Sequence, residues 1–258
     1  MNIIAYQGSK RKELKIIKEY QPKQFDEIID VFGGGANVTL SYLKEDYKVH
    51  YNDILSSMCG LLTTLKDNEK TDKLIKEYNE VVKNNNKEKF YKIFDKEFII
   101  SDEARLIYLS CVCFRSMLNS RMPKTSKEGV ITKCKKIEYY KKFAELFKKL
   151  TITNKDYKDI LEHYKNDSNK FLYLDPPYVS KNTNEYGVNF TITDLIFIKK
   201  FMVQCKCKVM LHIDFTGYTY DLFKQYIKHY YSIRYGMSNK SKDIKDIYNK
   251  YHMFVCNY

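Results

Sequence analysis

The sequence predicts an α/β fold in which a mostly parallel sheet, with helices on both faces, is interrupted by a mainly helical, basic insertion. Short apolar strand patterns stop at a glycine turn within residues 26–35 and at a proline turn within 171–178. Charged helical patterns dominate the stretch between these regions. We therefore expect one α/β domain made of residues 1–57 and 150–258, and an insertion at 58–149.

The first α/β element is a strand, a turn and a helix near the N-terminus. Residues 26–31 are apolar and β-branched, and they stop at the glycine-rich turn 32–35. Residues 36–44 have a helical pattern, and 48–51 form a second strand that ends at Asn52-Asp53. This βαβ unit predicts a parallel sheet with a ligand at its strand ends.

The middle of the chain has the pattern of a helical insertion. Asn84–Asn86 break its helices, and residues 119–134 are loop-rich and basic. We expect the most apolar helix at 105–118, with a core-facing stripe of Leu106, Leu109, Cys113 and Met117. Residues 104–150 contain 12 Lys and Arg against 3 Asp and Glu, and so carry most of the net charge of +13.

The α/β pattern returns after Leu150. Buried strands are expected at 151–153, 171–174 and 208–213, and a terminal hairpin at 231–235 and 252–256. A polar loop, 179–190, follows the strand 171–174. His212 lies within an apolar strand, and we interpret it as a core histidine whose ring nitrogens are hydrogen-bonded.

The net charge of +13 indicates a polyanionic partner, with nucleic acid first and an anionic membrane surface second. The alternative is a lysine-rich composition from AT-rich coding DNA. No apolar run reaches about 18 residues and residues 1–10 lack the pattern of a secretory signal, so we expect neither a membrane span nor export. The expected location is the cytoplasm of a bacterium or of a phage-infected host cell.

The cysteines do not have the spacing of a metal site. There are seven, and the closest pairs are Cys111 with Cys113 and Cys205 with Cys207. Zinc sites usually show two matched pairs with two to four residues between the cysteines of each pair. We expect no metal, and reduced thiols.

The segment Asp175-Pro176-Pro177-Tyr178 follows an apolar strand and is the strongest chemical signal. Two prolines hold the backbone rigidly and have no N–H donors, while their carbonyls can still accept hydrogen bonds. The Asp175 carboxylate and the Pro176 carbonyl can each accept a hydrogen from a planar NH₂ group, and Tyr178 can stack on its ring. The alternative is a turn that only ends the strand.

The glycine turn is the second signal. Glycines allow tight turns close to a ligand, and Asp53 follows the next strand, where an acidic residue can accept hydrogen bonds from ribose hydroxyls. The pattern differs from the dinucleotide fingerprint G-x-G-x-x-G. The alternative is a glycine-rich turn beside a solvated aspartate.

Together these residues resemble the Dam-like, D12-type family of DNA adenine methyltransferases. Tyr6–Lys10 is similar to the family's N-terminal methionine-binding motif, and the turn 32–35 to its F-x-G motif. Asn154–Tyr157 looks like the segment lining the cofactor's adenine, and Asp175–Tyr178 matches the catalytic D-P-P-Y. The motif order is that of the α group. Ala36 departs from members that have a second glycine there.

The resemblance implies a Rossmann-like methyltransferase domain that moves a methyl group from S-adenosyl-L-methionine to the N6 amine of a flipped-out adenine in DNA, leaving S-adenosyl-L-homocysteine. It implies a catalytic set of Asp175, Pro176, Pro177 and Tyr178. The implied cofactor-binding residues are Tyr6, Gly8, Lys10, Phe32, Gly33, Gly34, Gly35, Asp53, Ile54, Asp156, Tyr157 and Asp175. Residues 58–149 are then the DNA target-recognition insertion, and the aromatic residues Tyr186 and Phe190 resemble those of the family's loop after D-P-P-Y.

Double-stranded DNA is the expected partner. The expected contact residues are Arg115, Asn119, Arg121, Lys124, Lys127, Lys133 and Tyr186. The two arginines are better suited to bidentate contacts, while a solvated face is the alternative for any single lysine. We expect a monomer or weak dimer. The sequence leaves open the DNA site that is read and whether a cognate restriction endonuclease exists.

Two other functions fit the same residues. One is amine methylation of cytosine N4 in DNA or of adenine in RNA; cytosine enzymes of this type more often begin the motif with Ser, so Asp175 favours adenine. The other is a DNA-binding module without catalysis. That function predicts loss of the aspartate or of the glycine turn, and both are present.

Overall fold

A computed structural model describes residues 2–83, 85–113, 116, 118–121, 123–125, 134–179, 190–234 and 249–258. Its strands are β1 (Glu27–Asp30), β2 (Lys48–Asn52), β3 (Leu150–Thr153), β4 (Lys170–Leu174), β5 (Lys208–Asp214), β6 (Ile227–Arg234) and β7 (Asn249–Cys256). Its α-helices are α1 (Leu14–Tyr20), α2 (Asn37–Leu43), α3 (Ser56–Thr64), α4 (Asn68–Val82), α5 (Lys87–Phe94), α6 (Asp102–Val112), α7 (Phe143–Leu146), α8 (Tyr157–Tyr164), α9 (Ile192–Gln204) and α10 (Gly217–Phe223). Short 3-10 helices lie at Lys10–Lys12, Glu138–Lys142 and Phe147–Lys149.

The strands form a seven-stranded sheet in the order β3-β2-β1-β4-β5-β7-β6. Strand β2 pairs in parallel with β1 and β3, and β4 pairs in parallel with β5. Strand β7 runs antiparallel to both β5 and β6. The predicted α/β class is therefore confirmed, as are the predicted strands and the terminal hairpin, which begins four residues earlier than predicted.

The chain divides into two compact units. Unit 1 comprises Met1–Lys15 and Glu27–Ile160, and contains β1 to β3. Its βαβ element is anchored by the buried Asp30, whose Oδ2 accepts hydrogen bonds from the Thr39 backbone N–H and hydroxyl, at 3.2 and 2.7 Å. Helix α6 packs against α3, α4 and α5. The domain boundaries predicted around residues 58 and 149 stay predictions.

Unit 2 comprises Ile16–Asp26 and Leu161–Tyr258, and contains β4 to β7. The interiors of β4 and β5 are buried and apolar apart from His212, as continuous apolar patterns in parallel strands predict. At the start of α10, Thr216 and Thr219 form a capping box, in which each hydroxyl accepts from the other residue's backbone N–H, at 3.1 and 2.9 Å. At the start of α9, the Asp194 carboxylate accepts from the Thr191 backbone N–H at 2.9 Å.

The structure corrects one predicted helix boundary. Helix α6 ends at Val112, whereas the apolar stripe predicted a helix to residue 118. The backbone is already extended at Cys113, which forms a bridge to Pro123, and Ser116 has a positive φ of 57°. Leu106, Leu109 and Cys113 are buried as predicted, while Met117 lies outside the described residues. Among the helices that the structure describes, none combines the length and apolar character needed to cross a bilayer.

Candidate functional site

The glycine turn joins β1 to α2 in unit 1. Gly34 has a φ of +47°, a left-handed conformation that glycine adopts without strain. Gly33 is required for a different reason: a Cβ there would lie 2.1 Å from Cε2 of the buried Tyr51 ring. The Tyr51 hydroxyl also donates to the Gly34 carbonyl at 2.9 Å. The turn is thus packed directly on the strand that precedes Asp53.

Asp53 uses both carboxylate oxygens to fix this turn. Oδ2 accepts from the Gly34 N–H at 2.7 Å, and Oδ1 accepts from the Leu55 N–H at 2.8 Å. Burial raises the pKa of Asp53, and the backbone N–H groups of Leu55, Gly34 and Ile54 oppose that rise. A carboxylate has about four lone-pair sites, so Asp53 can hold the turn and still accept a hydrogen bond from a ligand hydroxyl.

Most of the other residues predicted to bind the cofactor lie in unit 1. Tyr6 lies over the turn, because a Cβ on Gly34 would be 3.0 Å from its ring. Gly8 has a φ of 79°, and its carbonyl accepts from the buried Lys10 Nζ at 3.3 Å. Ile54 beside Asp53 is 53% exposed, an apolar surface next to a carboxylate. Such a pairing can accept the apolar ring and the hydroxyls of a nucleoside.

The segment after β3 carries two more residues of the predicted cofactor-binding set, Asp156 and Tyr157. The Tyr157 ring lies 5.1 Å from the Phe32 ring, centroid to centroid, so the segment and the glycine turn are in contact. Asp156 is exposed, and its Oδ1 accepts from the Lys158 N–H at 2.8 Å. Asn154 Nδ2 donates to the Asp53 carbonyl at 2.7 Å.

Asn52 is a positioning residue that sequence reasoning missed. Its Nδ2 donates to the carbonyls of Val31 and Lys155, each at 3.1 Å. Its Oδ1 accepts from the Thr153 hydroxyl at 2.7 Å and the Lys155 N–H at 3.0 Å. One buried amide therefore ties together the ends of three strands. An asparagine ending an apolar strand is the signal that could have indicated this role.

The Asp-Pro-Pro-Tyr segment follows β4 in unit 2. Asp175 and Tyr178 are half-buried, and Pro176 is buried. The Tyr178 hydroxyl is hydrogen-bonded to Nδ1 of His252 at 3.1 Å, and the two ring centroids are 5.6 Å apart. His252 lies on β7 and is fully buried. Sequence reasoning missed this contact, since 74 residues separate its partners.

His212 is a core histidine, as predicted. Its Nδ1 is hydrogen-bonded to the Tyr173 hydroxyl and its Nε2 to the Tyr231 hydroxyl, both at 2.8 Å. It is fully buried on β5. Tyr173 is the residue two positions before Asp175, so the strand that leads into the Asp175–Tyr178 segment is fixed by a buried imidazole on β5.

Three of the predicted DNA-contact residues are described. Asn119 is exposed. Arg121 pairs with Asp95, with Nη2 and Oδ2 2.6 Å apart, and its guanidinium lies 5.5 Å from the Tyr91 ring centre. The Lys124 ammonium donates to the Cys111 carbonyl and the Ser116 hydroxyl, at 3.1 and 3.2 Å. Arg115, Lys127, Lys133 and Tyr186 lie outside the described residues. DNA contact by all seven stays a prediction.

The cysteines lie in two kinds of environment. Burial raises the pKa of Cys113 to about 12, which keeps that thiol protonated. In the pair Cys205 and Cys207, a hydrogen bond with Cys207 lowers the pKa of the Cys205 thiol. Asn257 Nδ2 also donates to the Cys205 Sγ at 3.3 Å. Across the part of the chain that the structure describes, no three His, Cys, Asp or Glu side chains are grouped to hold a metal ion.

Comparison of the sequence with known proteins identifies a family. The sequence model of the family described as D12 class N6 adenine-specific DNA methyltransferase matches residues 6–255. Type II methyltransferase M.CviBI of Paramecium bursaria Chlorella virus NC1A is 27% identical to this chain over 270 residues, covering 99% of each chain. Type II methyltransferase M.MjaIII of Methanocaldococcus jannaschii is 27% identical over 261 residues, covering 85% of this chain and 88% of its own.

Proposed function

The chain belongs to the D12 class of N6 adenine-specific DNA methyltransferases, and we propose that it transfers the methyl group of S-adenosyl-L-methionine to the N6 amine of an adenine flipped out of double-stranded DNA. The methyl–sulfonium bond breaks as the methyl–nitrogen bond forms, and the products are N6-methyladenine, S-adenosyl-L-homocysteine and the proton that the methylated amine releases. The observation that carries this proposal is the Asp-Pro-Pro-Tyr segment, which ends a buried parallel strand and whose tyrosine is held by His252.

The catalytic segment acts on the nucleophile. The exocyclic amine of adenine is a poor nucleophile because its lone pair is delocalised into the ring. The Asp175 carboxylate and the Pro176 carbonyl each accept one amine hydrogen, which favours a pyramidal nitrogen with a localised lone pair. Tyr178 stacks on the base and holds it in line for transfer. Positive charge builds on the nitrogen during transfer, and the Asp175 carboxylate stabilises it.

The residues of the glycine turn fit an adenosyl cofactor. Asp53 offers hydrogen-bond acceptor capacity for ribose hydroxyls, and exposed Ile54 offers an apolar surface for an adenine ring. Tyr6 and Lys10, close to the turn, belong to the segment proposed for the methionine end. When bound, S-adenosyl-L-methionine supplies an electrophilic methyl group on a sulfonium. The residues of this chain then supply binding and orientation, with no covalent enzyme intermediate.

The insertion 58–149 is proposed to read the DNA site. The excess of Lys and Arg in residues 104–150 supports phosphate contact. The two relatives bear type II methyltransferase names, and we propose the same role here, the methylation of one specific DNA site. Solitary action and action beside a restriction endonuclease are both compatible with this chemistry.

The proposal is tested at Asp175. We expect Asp175→Ala to lower turnover roughly a hundredfold to a thousandfold, the usual loss when one interaction that stabilises transition-state charge is removed. Asp175→Asn keeps the shape and one acceptor oxygen but loses the charge, so its rate should lie between those of the wild type and the alanine variant. The measurement is single-turnover methylation of unmethylated DNA with tritiated S-adenosyl-L-methionine.

Binding assays separate chemistry from folding. Both Asp175 variants should bind DNA, and 2-aminopurine at the target position should still show base flipping by its fluorescence. Transfer by Asp175→Ala at close to the wild-type rate would mean that Asp175-Pro176-Pro177-Tyr178 is only a turn. A wild-type protein that transfers no methyl group to DNA would reject the proposed function as a whole.

A further inference from the structure

Tyr178 is connected to the interior of unit 2 by a chain of ring contacts. Its hydroxyl is hydrogen-bonded to His252 at 3.1 Å. The His252 ring stacks on Tyr231 with 5.9 Å between centroids and 23° between planes, and the two residues are directly opposed in the β6–β7 ladder. The Tyr231 hydroxyl is hydrogen-bonded to Nε2 of His212, and Nδ1 of His212 is hydrogen-bonded to the Tyr173 hydroxyl.

Both ends of this chain of contacts lie close to Asp175 in sequence. Tyr173, on β4, is two residues before Asp175, and Tyr178 is three residues after it. Between them, His212 on β5 and His252 on β7 are both fully buried, with ring centroids 5.5 Å apart. Buried imidazoles held by stacking and hydrogen bonds have few rotamers available, so they can hold their partners in one orientation.

We propose that His252 is a positioning residue that orients the Tyr178 ring for stacking on the target base. This inference rests on the proposed function, and it assigns the role to the hydrogen bond between Nδ1 and the hydroxyl. A tyrosine that follows two prolines still rotates about its own side-chain bonds. The bond to His252 restricts that rotation before DNA arrives, so less ordering remains for the moment of binding.

The packing shows why a histidine serves here. A phenylalanine would keep the contact with Tyr231 but would provide no partner for the Tyr178 hydroxyl. Acting through one hydrogen bond, His252 should influence the reaction only while that hydroxyl is present. The role therefore predicts that the effects of the two substitutions are not independent.

The test is a double-mutant cycle of Tyr178→Phe, His252→Phe and the pair together. Each single variant should lower the single-turnover methylation rate roughly twofold to tenfold, the range expected for one net hydrogen bond. The double variant should be no slower than the slower single variant. Fluorescence of 2-aminopurine at the target position should rise in His252→Phe, because a loosely stacked base is less quenched.

His229→Phe is the matched control. His229 lies on the same face of β6 as Tyr231, and its ring stacks on Tyr20 at 4.4 Å. This ring-for-ring exchange should leave the rate and the fluorescence near the wild-type values. Multiplying losses in the double variant, or equal effects of His229→Phe and His252→Phe, would overturn the positioning role while the wild type still methylates DNA. Absence of transfer by the wild type would instead reject the proposed function on which this role rests.

Discussion

The glycine turn of unit 1 and the Asp175–Tyr178 segment of unit 2 both follow parallel strands, but they are held in different ways. The turn is fixed by groups close in sequence: Asp53 bonds Gly34 across 19 residues, and Tyr51 bonds Gly34 across 17. The Asp175–Tyr178 segment is fixed across the sheet: 74 residues separate Tyr178 from His252, and 39 separate Tyr173 from His212.

The two arrangements should respond to different kinds of change. The turn depends on backbone groups and on the absence of side chains, so it is sensitive to added volume. The Asp175–Tyr178 segment depends on ring nitrogens and hydroxyls, so it is sensitive to the chemical identity of its partners even when their shape is kept. Substitutions that change only volume or only hydrogen bonding can separate the two arrangements.

The largest effect on stability is expected from Gly33→Ala. The new methyl group would lie 2.1 Å from the buried Tyr51 ring, which must move. We expect a loss of about 3 kcal/mol in the free energy of unfolding, the upper end of the usual cost of overpacking. Urea unfolding followed by circular dichroism measures it.

Gly60→Ala in α3 is the matched control. Its methyl group would meet only the Glu103 side chain, and the atom that would have to move, Oε1 at 2.4 Å, is the flexible end of that side chain. Because alanine favours the helix over glycine by roughly 0.5–1 kcal/mol, this variant should be at least as stable as the wild type. Equal losses in both variants would mean that the turn is no more sensitive to volume than an ordinary helix.

The topology around the turn was predictable from the sequence because its elements are consecutive. The pattern of strand, glycines, helix and a second strand ending in an acid predicted the βαβ unit and put Asp53 at a strand end, but it did not predict that Asp53 and Tyr51 bond Gly34. The role of His212 was predictable too, since a histidine within an apolar strand must find partners for its ring nitrogens.

Other features depend on partners that one stretch of sequence does not reveal. The sequence near His252 does not indicate that its ring meets Tyr178. Asn52 ends an apolar strand, which indicates a buried amide in need of partners, but does not reveal that the partners are Val31 and Lys155. The predicted end of α6 was wrong for a related reason. Cys113 fits the apolar stripe and is buried, but its backbone forms a bridge to Pro123 instead of continuing the helix. Tertiary pairing here overrides a helical pattern.

Asp53→Asn tests the turn by a change of charge, because asparagine has nearly the same size as aspartate. The amide offers one acceptor oxygen in place of two, so either Gly34 or Leu55 loses its partner, at about 1.5 kcal/mol. Burial raises the pKa of Asp53, so the folded protein holds that proton more tightly than the unfolded chain does. Ionisation as the pH rises above 3.8 therefore lowers wild-type stability, while asparagine does not ionise.

The stability difference between the wild type and Asp53→Asn should therefore narrow as the pH rises from 3.8 through the raised pKa. Urea unfolding at several pH values measures this difference. If Asp53 also binds the ribose hydroxyls, calorimetry should show weaker binding of S-adenosyl-L-methionine by the variant. A difference that widens with pH would contradict the raised pKa, and unchanged affinity would contradict the ribose contact.

The smallest effect on stability is expected at Arg121, which belongs to neither arrangement. Its side chain is 64% exposed and pairs with Asp95, and surface ion pairs of this kind contribute about 0–1 kcal/mol. If Arg121 contacts a phosphate, Asp95 competes with DNA for the same guanidinium. Arg121→Ala should then weaken DNA binding similarly across sequences and reduce the salt slope by about 1.

Asp95→Asn should have the opposite effect, because it frees Arg121 for the phosphate. Removing any negative charge favours DNA binding to some extent, so a control is needed. The control is Asp72→Asn, which removes the carboxylate of another surface ion pair, the one with Lys141. Fluorescence anisotropy at several salt concentrations should show a larger gain in affinity for Asp95→Asn than for Asp72→Asn. That extra gain should disappear when Arg121→Ala is added, because its cause is the released guanidinium. Equal gains in the two aspartate variants would leave Arg121 as a solvated side chain paired with its neighbour.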